Sequence, residues 1–277
     1  MSMLEMAKGI SQEKSNNVFV FMGLPGSGKT TVAGTFPKPM LYVSIGDDGG
    51  GVVLKGYSDD EVKTINLATD KSGTSCAKLK TLLTELKGNK TFKTVVIDAY
   101  TSIQEEMEAY FTMMKGGKAL NFDEWDAVGK QLLSLRDMIV ANSKEGVNYV
   151  LVCHVKTKDM TDTITNEVSK TVIPKMTGNN GRILLERADV VAYCCRKTIK
   201  NSDGKMEVKF LTYLGAHPNI DTKFRTPKRV FEGVGTYVED CTYDKMMALA
   251  NGKSKLENVN VVETQTNPFG SDENEGE

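Results

Sequence analysis

The sequence has few of the residues from which metal centres and disulfide scaffolds are built. Its two histidines, His154 and His217, do not lie in ligand spacing with a cysteine, which argues against a Cys/His metal centre. Its five cysteines are odd in number, form no C-x-x-C pair and include the adjacent Cys194 and Cys195. This pattern indicates reduced thiols, and we expect a cytoplasmic protein.

Long apolar runs are also missing. The first ten residues, MSMLEMAKGI, do not resemble a secretory signal, and no run reaches the length of a membrane-spanning helix. The chain of 277 residues is 40% hydrophobic and 26% charged, which is ordinary for a globular protein. A chain of this length can bury a sizeable core without a metal or disulfide staple.

The clearest positive feature is the segment VFVFMGLPGSGKT at residues 18–30. A short apolar run, typical of a buried strand, leads into the pattern G-x-x-x-x-G-K-[ST] of a phosphate-binding loop. Glycines let the backbone N–H groups of such a loop point at phosphate oxygens, and the helix N-terminus adds partial positive charge. We expect Lys29 to reach the β- and γ-phosphates and the Thr30 hydroxyl to ligate Mg²⁺. The residues expected to contact the nucleotide are Gly23, Pro25, Gly26, Ser27, Gly28, Lys29, Thr30 and Thr31.

A second apolar run, TVVID at residues 94–98, ends in a carboxylate. A nucleotide site with Mg²⁺ needs such a group at the end of a neighbouring strand, so Asp98 is the expected partner of Thr30 at the metal. The alternative is that Asp98 caps the following helix, in competition with Thr101 and Ser102.

Two further carboxylates, Asp47 and Asp48, follow the apolar run at residues 40–45. Either could face the γ-phosphate and polarise an attacking water. The sequence Asp-Asp-Gly-Gly-Gly is equally good turn chemistry. The pattern does not choose between the two functions, nor between the two aspartates.

Apolar runs alternate with helical stretches along the chain, which predicts an α/β fold with a mostly parallel central sheet flanked by helices. The later strands follow each other closely, so we expect antiparallel strands at one edge. We divide the chain into a polar lead-in (1–16), one ATPase domain (17–252) and an acidic disordered tail (253–277). Strands are predicted near 17–22, 40–45, 62–67, 94–98, 147–153, 188–195 and 206–214. Helices are predicted near 75–87, 101–144 with a break around 115–118, and 242–251.

Basic side chains are concentrated in the polar segment 155–182, for which we predict a hairpin. Such charges usually form a solvated surface, but at the nucleotide side of the sheet they could hold a phosphate backbone. Aromatic residues are sparse there, so base stacking has little support. The tail carries a charge of −5 over residues 263–277, which leaves the body mildly basic. The DNA-binding candidates are Lys156, Lys158, Lys170, Lys175 and Arg182.

These motifs, in this order, resemble those of the RecA-like P-loop ATPases. More closely, the chain resembles the short, core-only members encoded by phages, which are ATP-dependent single-strand annealing proteins and are also described as AAA-family ATPases. The similarity covers about residues 17–235. It is carried by the stretches GLPGSGKTTVAGTFPKPMLYV, IGDDGG, TVVIDAY, EWDAVGKQLLSLRD and YVLVCHVK.

The resemblance implies a RecA-like core that uses ATP and Mg²⁺ and hydrolyses ATP slowly, with stimulation by DNA. It places Asp47 or Asp48 where these proteins usually have a catalytic glutamate. It makes His154 the residue that couples the γ-phosphate to a DNA-binding loop at 155–182. Lys223 and Arg225 match a K-x-R arrangement that relatives place against ATP on the neighbouring subunit.

The implied partners are single-stranded DNA, further copies of the chain in a ring or filament, and a single-strand DNA-binding protein. The compartment would then be the host cytoplasm. The main alternative is a nucleotide-dependent assembly or packaging ATPase without a DNA-annealing role. A small-molecule kinase is a third option, but the few arginines form no acceptor-binding lid pattern.

Overall fold

A nine-stranded, mostly parallel sheet forms the centre of the molecule in the computed structural model. The structure describes residues 17–46, 50–71, 73–161, 168–200, 203–215, 217, 219–225 and 237–251. The strands are β1 (Val18–Met22), β2 (Met40–Ser44), β3 (Val62–Asn66), β4 (Thr94–Asp98), β5 (Asn148–Cys153), β6 (Val155–Thr161), β7 (Val168–Pro174), β8 (Val190–Lys200), β9 (Met206–Tyr213), β10 (Lys223–Phe224) and β11 (Tyr237–Glu239). The helices are α1 (Lys29–Gly34), α2 (Ser75–Glu85), α3 (Ser102–Met114), α4 (Phe122–Ser143), α5 (Asn180–Arg187) and α6 (Tyr243–Ala250).

The strand order of this sheet is β11-β9-β8-β1-β5-β4-β2-β3, and β10 pairs with β8. All pairings from β3 across to β8 are parallel, whereas β9, β10 and β11 are antiparallel to their neighbours. The predicted α/β fold with antiparallel strands at one edge is therefore confirmed. Because parallel strands end at the same edge, the segments that follow β1, β5, β4 and β2 meet there.

Both faces of the sheet are covered, as the continuous apolar runs of its strands require. Alternate residues of β1 point to opposite faces: Val20 joins one buried cluster and Phe21 the other. The cluster around Val20 includes residues of α2, α3 and α4, and the cluster around Phe21 includes residues of α1 and α6. The phosphate-loop strand is thus fixed from both sides.

The predicted break in the long helical region separates α3 from α4. Gly116 and Gly117 follow α3 with φ values of 65° and 87°, a left-handed conformation that ends a helix. The chain then starts α4 with a capping box, in which Asn121 and Glu124 each accept a hydrogen bond from the other's backbone N–H. The break therefore has two local causes: left-handed glycines end α3, and the capping box starts α4.

Two hairpins leave the edge of the sheet at which the parallel strands end. The first, β6–β7, forms a separate two-stranded sheet directly after β5, as the polar composition of 155–182 predicted. The second, β8–β9, is longer than predicted because β8 continues to Lys200. Its added residues pair only with β9 and are largely polar, so no buried apolar run marks them in the sequence.

No helix in the described part of the chain has both the length and the apolar character needed to cross a membrane.

The core position of α4 gives a stability prediction. Leu135→Ala removes a fully buried side chain between helix and sheet and should lower the free energy of unfolding by about 2–5 kcal/mol. Leu133→Ala, two residues away and 37% exposed, is the matched control and should cost less than half as much. Chemical denaturation measures both values, and equal losses would contradict this packing of α4.

Candidate nucleotide-binding site

The predicted phosphate loop connects β1 to α1 at the edge where the parallel strands end. Gly26 and Gly28 have φ values of 73° and 87°, which side chains other than glycine rarely adopt. The Ser27 N–H donates to the carbonyl of Leu24 at 3.2 Å and closes the turn. Pro25 and Gly26 are exposed at the tip, and Thr31 is exposed in the first turn of α1. The loop therefore has the curled backbone that directs N–H groups at a phosphate.

Gly23 fixes the start of this loop between two strands. Its N–H donates to the carbonyl of Cys153 on β5 at 3.2 Å. A Cβ atom at this position would lie 2.3 Å from the carbonyl oxygen of Cys194 on β8. Only glycine fits so close to a neighbouring backbone, so this residue sets the position of the whole loop.

Lys29 is buried inside the loop although it carries a charge. Its Nζ donates to the carbonyls of Gly23 and Leu24 at 3.0 and 2.8 Å and to the Ser27 hydroxyl at 3.4 Å. The ammonium therefore lies over the concave side of the loop, where a phosphate oxygen would replace the weaker carbonyl acceptors. This is the placement expected of a residue that binds the β- and γ-phosphates.

Thr30 and Asp98 meet across the site. The Thr30 hydroxyl donates to Oδ2 of Asp98 at 2.7 Å, so the first turn of α1 contacts the end of β4. Two oxygen ligands at adjacent corners of a Mg²⁺ octahedron lie about 2.9 Å apart. The pair fits this ion in both chemistry and spacing, and its remaining ligands would be phosphate oxygens and water. The Asp98 contact faces the phosphate loop, which favours the site role over the capping of α3.

Tyr42 on β2 is a member of the site that the sequence motifs did not reveal. Its hydroxyl is buried and donates to the same Oδ2 of Asp98 at 2.9 Å. Asp98 is therefore held from two sides, by Thr30 and by Tyr42. Tyr42 stands in an apolar run with no motif of its own, so only the register of β2 beside β4 identifies it.

The two candidate catalytic aspartates, Asp47 and Asp48, lie outside the described residues. The chain before them ends at Gly46, which packs against Glu106 of α3. The chain after them resumes at Gly50, where an added Cβ would lie 3.0 Å from Oδ2 of Asp98. Their proposed role in polarising water stays a prediction.

His154 follows β5, which lies between the strands of the phosphate loop and of Asp98. Its backbone N–H donates to the hydroxyl of Thr101 at 3.2 Å, and its carbonyl accepts from the N–H of Lys175 at 2.8 Å. Thr101 is buried at the start of α3, and the sequence singled it out only as a capping residue. These bonds tie the base of the β6–β7 hairpin to the segment after Asp98. The sensing role of the His154 side chain stays a prediction.

The five candidate DNA-binding residues do not share one surface. Lys156 and Lys158 alternate along β6 and lie on the same side of the hairpin as Met160, which Arg182 of α5 contacts. Lys170 is opposite Asp159, so it lies on the other side of the hairpin. Lys175 is at the hairpin base and forms an ion pair of 2.9 Å with Glu105. The structure thus groups Lys156, Lys158 and Arg182 and separates the other two.

Lys223 and Arg225, the candidates for action on a neighbouring subunit, lie far from the loop of their own chain. Phe224 between them pairs with Val190, which is beside the start of β1 rather than its end. Lys223 donates to the carbonyls of Leu185 and Glu186 near the end of α5, and Arg225 donates to Glu186. Burial and the nearby Arg225 lower the pKa of Lys223. Both side chains have partners within the chain, and their action in trans stays a prediction.

Two thiols flank the phosphate loop without the properties of nucleophiles. Cys153 and Cys194 are buried in the strands on either side of Gly23. Burial raises the pKa of both thiols, that of Cys194 to about 12. At neutral pH they stay protonated and act as packing groups.

This geometry defines a P-loop nucleotide-binding domain. The loop presents backbone N–H groups and Lys29 to phosphates, and Thr30 with Asp98 offers oxygen ligands to a metal. Residues 15–226, most of the chain, match the AAA domain family, and the protein belongs to that family. Membership indicates nucleotide binding, usually with Mg²⁺, and ATPase activity. A search of curated proteins found no match.

The hydrogen bond from Tyr42 gives a prediction about metal dependence. Tyr42→Phe removes a donor that orients Asp98, so half-maximal ATPase activity should need about 10-fold more Mg²⁺ or more, the usual cost of losing a neighbour of a metal ligand. The matched control is Tyr149→Phe, which removes another buried hydroxyl, one bonded to Asn142. A Mg²⁺ titration compares the two variants, and identical curves would rule out this role of Tyr42.

Proposed function

We propose that this protein is an ATP- and Mg²⁺-dependent ATPase that binds single-stranded DNA and promotes annealing in recombination. The observation that carries the proposal is the origin of the β6–β7 hairpin. It begins directly after β5, whose last residue, Cys153, accepts a hydrogen bond from the first glycine of the phosphate loop. A basic hairpin that starts beside the phosphate loop is well placed to couple ATP binding to DNA binding.

A short series of contacts leads from the nucleotide site to this hairpin. Asp98, which faces Thr30, is followed by Thr101, whose hydroxyl accepts from the N–H of His154. The buried Gln104, one turn further along α3, accepts hydrogen bonds from the Thr177 N–H at 3.2 Å and the Asn180 side chain at 3.3 Å. The segments that enter and leave the hairpin are thus both attached to α3. A shift of Asp98 on nucleotide binding would move both attachments together.

The charge on one side of the hairpin supports a phosphate backbone as the ligand. Lys158 and Arg182 are exposed and Lys156 is half-buried on that side. Cations in such a row attract a nucleic-acid strand without reading its sequence. Annealing needs this kind of contact, because it must accept any complementary pair of strands. The resemblance to phage-encoded annealing proteins supports the same function.

The residues of the site have distinct tasks under this proposal. Lys29 neutralises charge on the β- and γ-phosphates, and Asp98 is held by Tyr42 beside Thr30. Asp47 or Asp48 orients the attacking water. Bound Mg²⁺ would supply charge neutralisation on the phosphate chain. Further copies of the chain would complete the site across an interface through Lys223 and Arg225, and a single-strand binding protein would deliver the DNA.

One observation favours the alternative, an assembly or packaging ATPase without a DNA role. The end of α3 and the start of α4 expose large apolar side chains: Met113 and Met114 are each 66% exposed and Phe122 is 85% exposed. Exposed apolar groups in one place are typical of protein–protein contacts. The annealing function needs the cations of the β6–β7 hairpin, whereas the assembly or packaging function does not.

Charge reversal of the hairpin tests the proposal. Lys156→Glu/Lys158→Glu should weaken binding of an unstructured oligonucleotide and reduce its salt slope by about 1.4, the value for two lost single-strand contacts. The matched control is Lys87→Glu/Lys90→Glu, the same charge change on exposed lysines just before β4, at the opposite edge of the sheet. Fluorescence anisotropy at several salt concentrations measures both.

Nucleotide binding separates this result from general damage. The hairpin variant should bind ATP like the natural protein, whereas Lys29→Ala should lose ATP binding altogether. Equal DNA affinity and salt slope for the hairpin and control variants would contradict the DNA role. The assembly ATPase would then be the better explanation.

A further inference from the structure

The β8–β9 hairpin extends beyond the sheet and contacts the phosphate loop. The parallel pairing of β8 with β1 ends at Tyr193, opposite Met22, but β8 continues to Lys200 with β9 as its partner. Cys194, the next residue of β8, is already in contact with Gly23. The residues further along this hairpin therefore lie above the loop rather than beside β1.

Two side chains of the hairpin reach the loop. A Cβ atom placed on Gly26 would lie 3.8 Å from Nη1 of Arg196. A Cβ atom placed on Gly28 would lie 3.3 Å from Cδ1 of Phe210. Arg196 and Phe210 are directly opposite each other in the β8–β9 pairing, so they share one face of the hairpin. The Phe210 ring, 42% exposed, contacts the loop at Gly28 beside Arg196.

Arg196 offers the kind of donors that an anion site needs. Its side chain is exposed, and none of the described residues forms a hydrogen bond or ion pair with its guanidinium. By contrast, Lys175 and Lys209 are engaged by Glu105 and Glu239. A guanidinium beside a phosphate loop that no described residue engages is suited to bidentate contact with phosphate oxygens.

The position of Lys29 indicates which phosphates Arg196 would meet. Lys29 is the residue that reaches the β- and γ-phosphates of a nucleotide in such a loop. Its Nζ lies against the carbonyls of Gly23 and Leu24, in the first half of the loop (residues 23–26). Gly26 is the last residue of that half, and Arg196 lies beside it. A nucleotide whose β- and γ-phosphates lie at Lys29 would therefore present that end of its phosphate chain to the Arg196 guanidinium.

We propose that Arg196 is a phosphate-binding residue that acts within its own subunit on the β/γ end of a nucleoside triphosphate. Phe210 is its positioning residue. The proposal rests on the nucleotide-binding part of the function proposed above and is independent of DNA. Arg196 would give the phosphates a third contact, in addition to Lys29 and a metal bound by Thr30 and Asp98.

The test is equilibrium binding of a slowly hydrolysed ATP analogue, ADP and AMP to the full chain without DNA. Arg196→Ala should raise the Kd of the ATP analogue roughly ten-fold or more, the usual loss for a charge-assisted contact. The Kd of ADP should rise less, and the Kd of AMP should not change. Arg196→Lys should recover only part of the loss, because an ammonium cannot make the bidentate contact.

Lys197→Ala is the matched control, because it removes a cation from the next residue, on the other face of β8 above the Tyr213 ring. It should leave all three affinities unchanged, and thermal unfolding confirms that each variant is folded. A change of less than about two-fold for the ATP analogue in folded Arg196→Ala would overturn the proposal, since a charge-assisted contact is worth more. An equal loss for AMP would overturn it too.

Phe210 is tested by a double-mutant cycle. Phe210→Ala should raise the Kd of the ATP analogue, and Arg196→Ala should cost less in that background than in the natural protein. Additive losses would contradict the positioning role. If the natural protein bound no ATP analogue, the nucleotide site itself would be refuted, whereas a failure of the Arg196 variants alone leaves it intact.

Discussion

The hydrogen bond between Thr30 and Asp98 is the contact on which the rest of the site depends. It joins the first turn of α1, and with it the phosphate loop, to the end of a strand two positions away in the sheet. A single carboxylate oxygen accepts from both Thr30 and Tyr42, so three elements converge on one atom. A bound nucleotide with its metal would enter at this point. A displacement of this oxygen would act on β2, β4 and α1 together.

The position of β5 connects the two halves of the nucleotide site to the β6–β7 hairpin. Because β5 lies between β1 and β4, its end contacts both halves of the site: Cys153 accepts from Gly23, and His154 donates to Thr101. The β6–β7 hairpin starts at that junction. The second hairpin, β8–β9, starts on the other side of β1 and brings Arg196 to the loop. The nucleotide site is therefore bordered by two hairpins, one proposed to sense DNA and one proposed to bind phosphate.

The sequence predicted the parts of this site that follow from local rules. The phosphate loop, the strand that ends at Asp98 and the break at Gly116 depend on residues adjacent in the chain, and patterns of spacing suffice for them. Tyr42 and Arg196 depend on which strands lie side by side and how far β8 extends, and neither is encoded in a short stretch. The basic segment shows the same limit. Its composition predicted a hairpin, but only the register shows that Lys170 lies on the other side from Lys156.

We propose that the phosphate loop and the β6–β7 hairpin are energetically coupled. Linkage requires that ATP change the affinity for DNA by the same factor by which DNA changes the affinity for ATP. The most direct measurement determines both factors with a slowly hydrolysed ATP analogue and an unstructured oligonucleotide at fixed Mg²⁺ and salt. We expect each ligand to tighten the binding of the other by one and the same factor, at least about five-fold, the lower end of typical coupling. Affinities that are unchanged by the other ligand would contradict it.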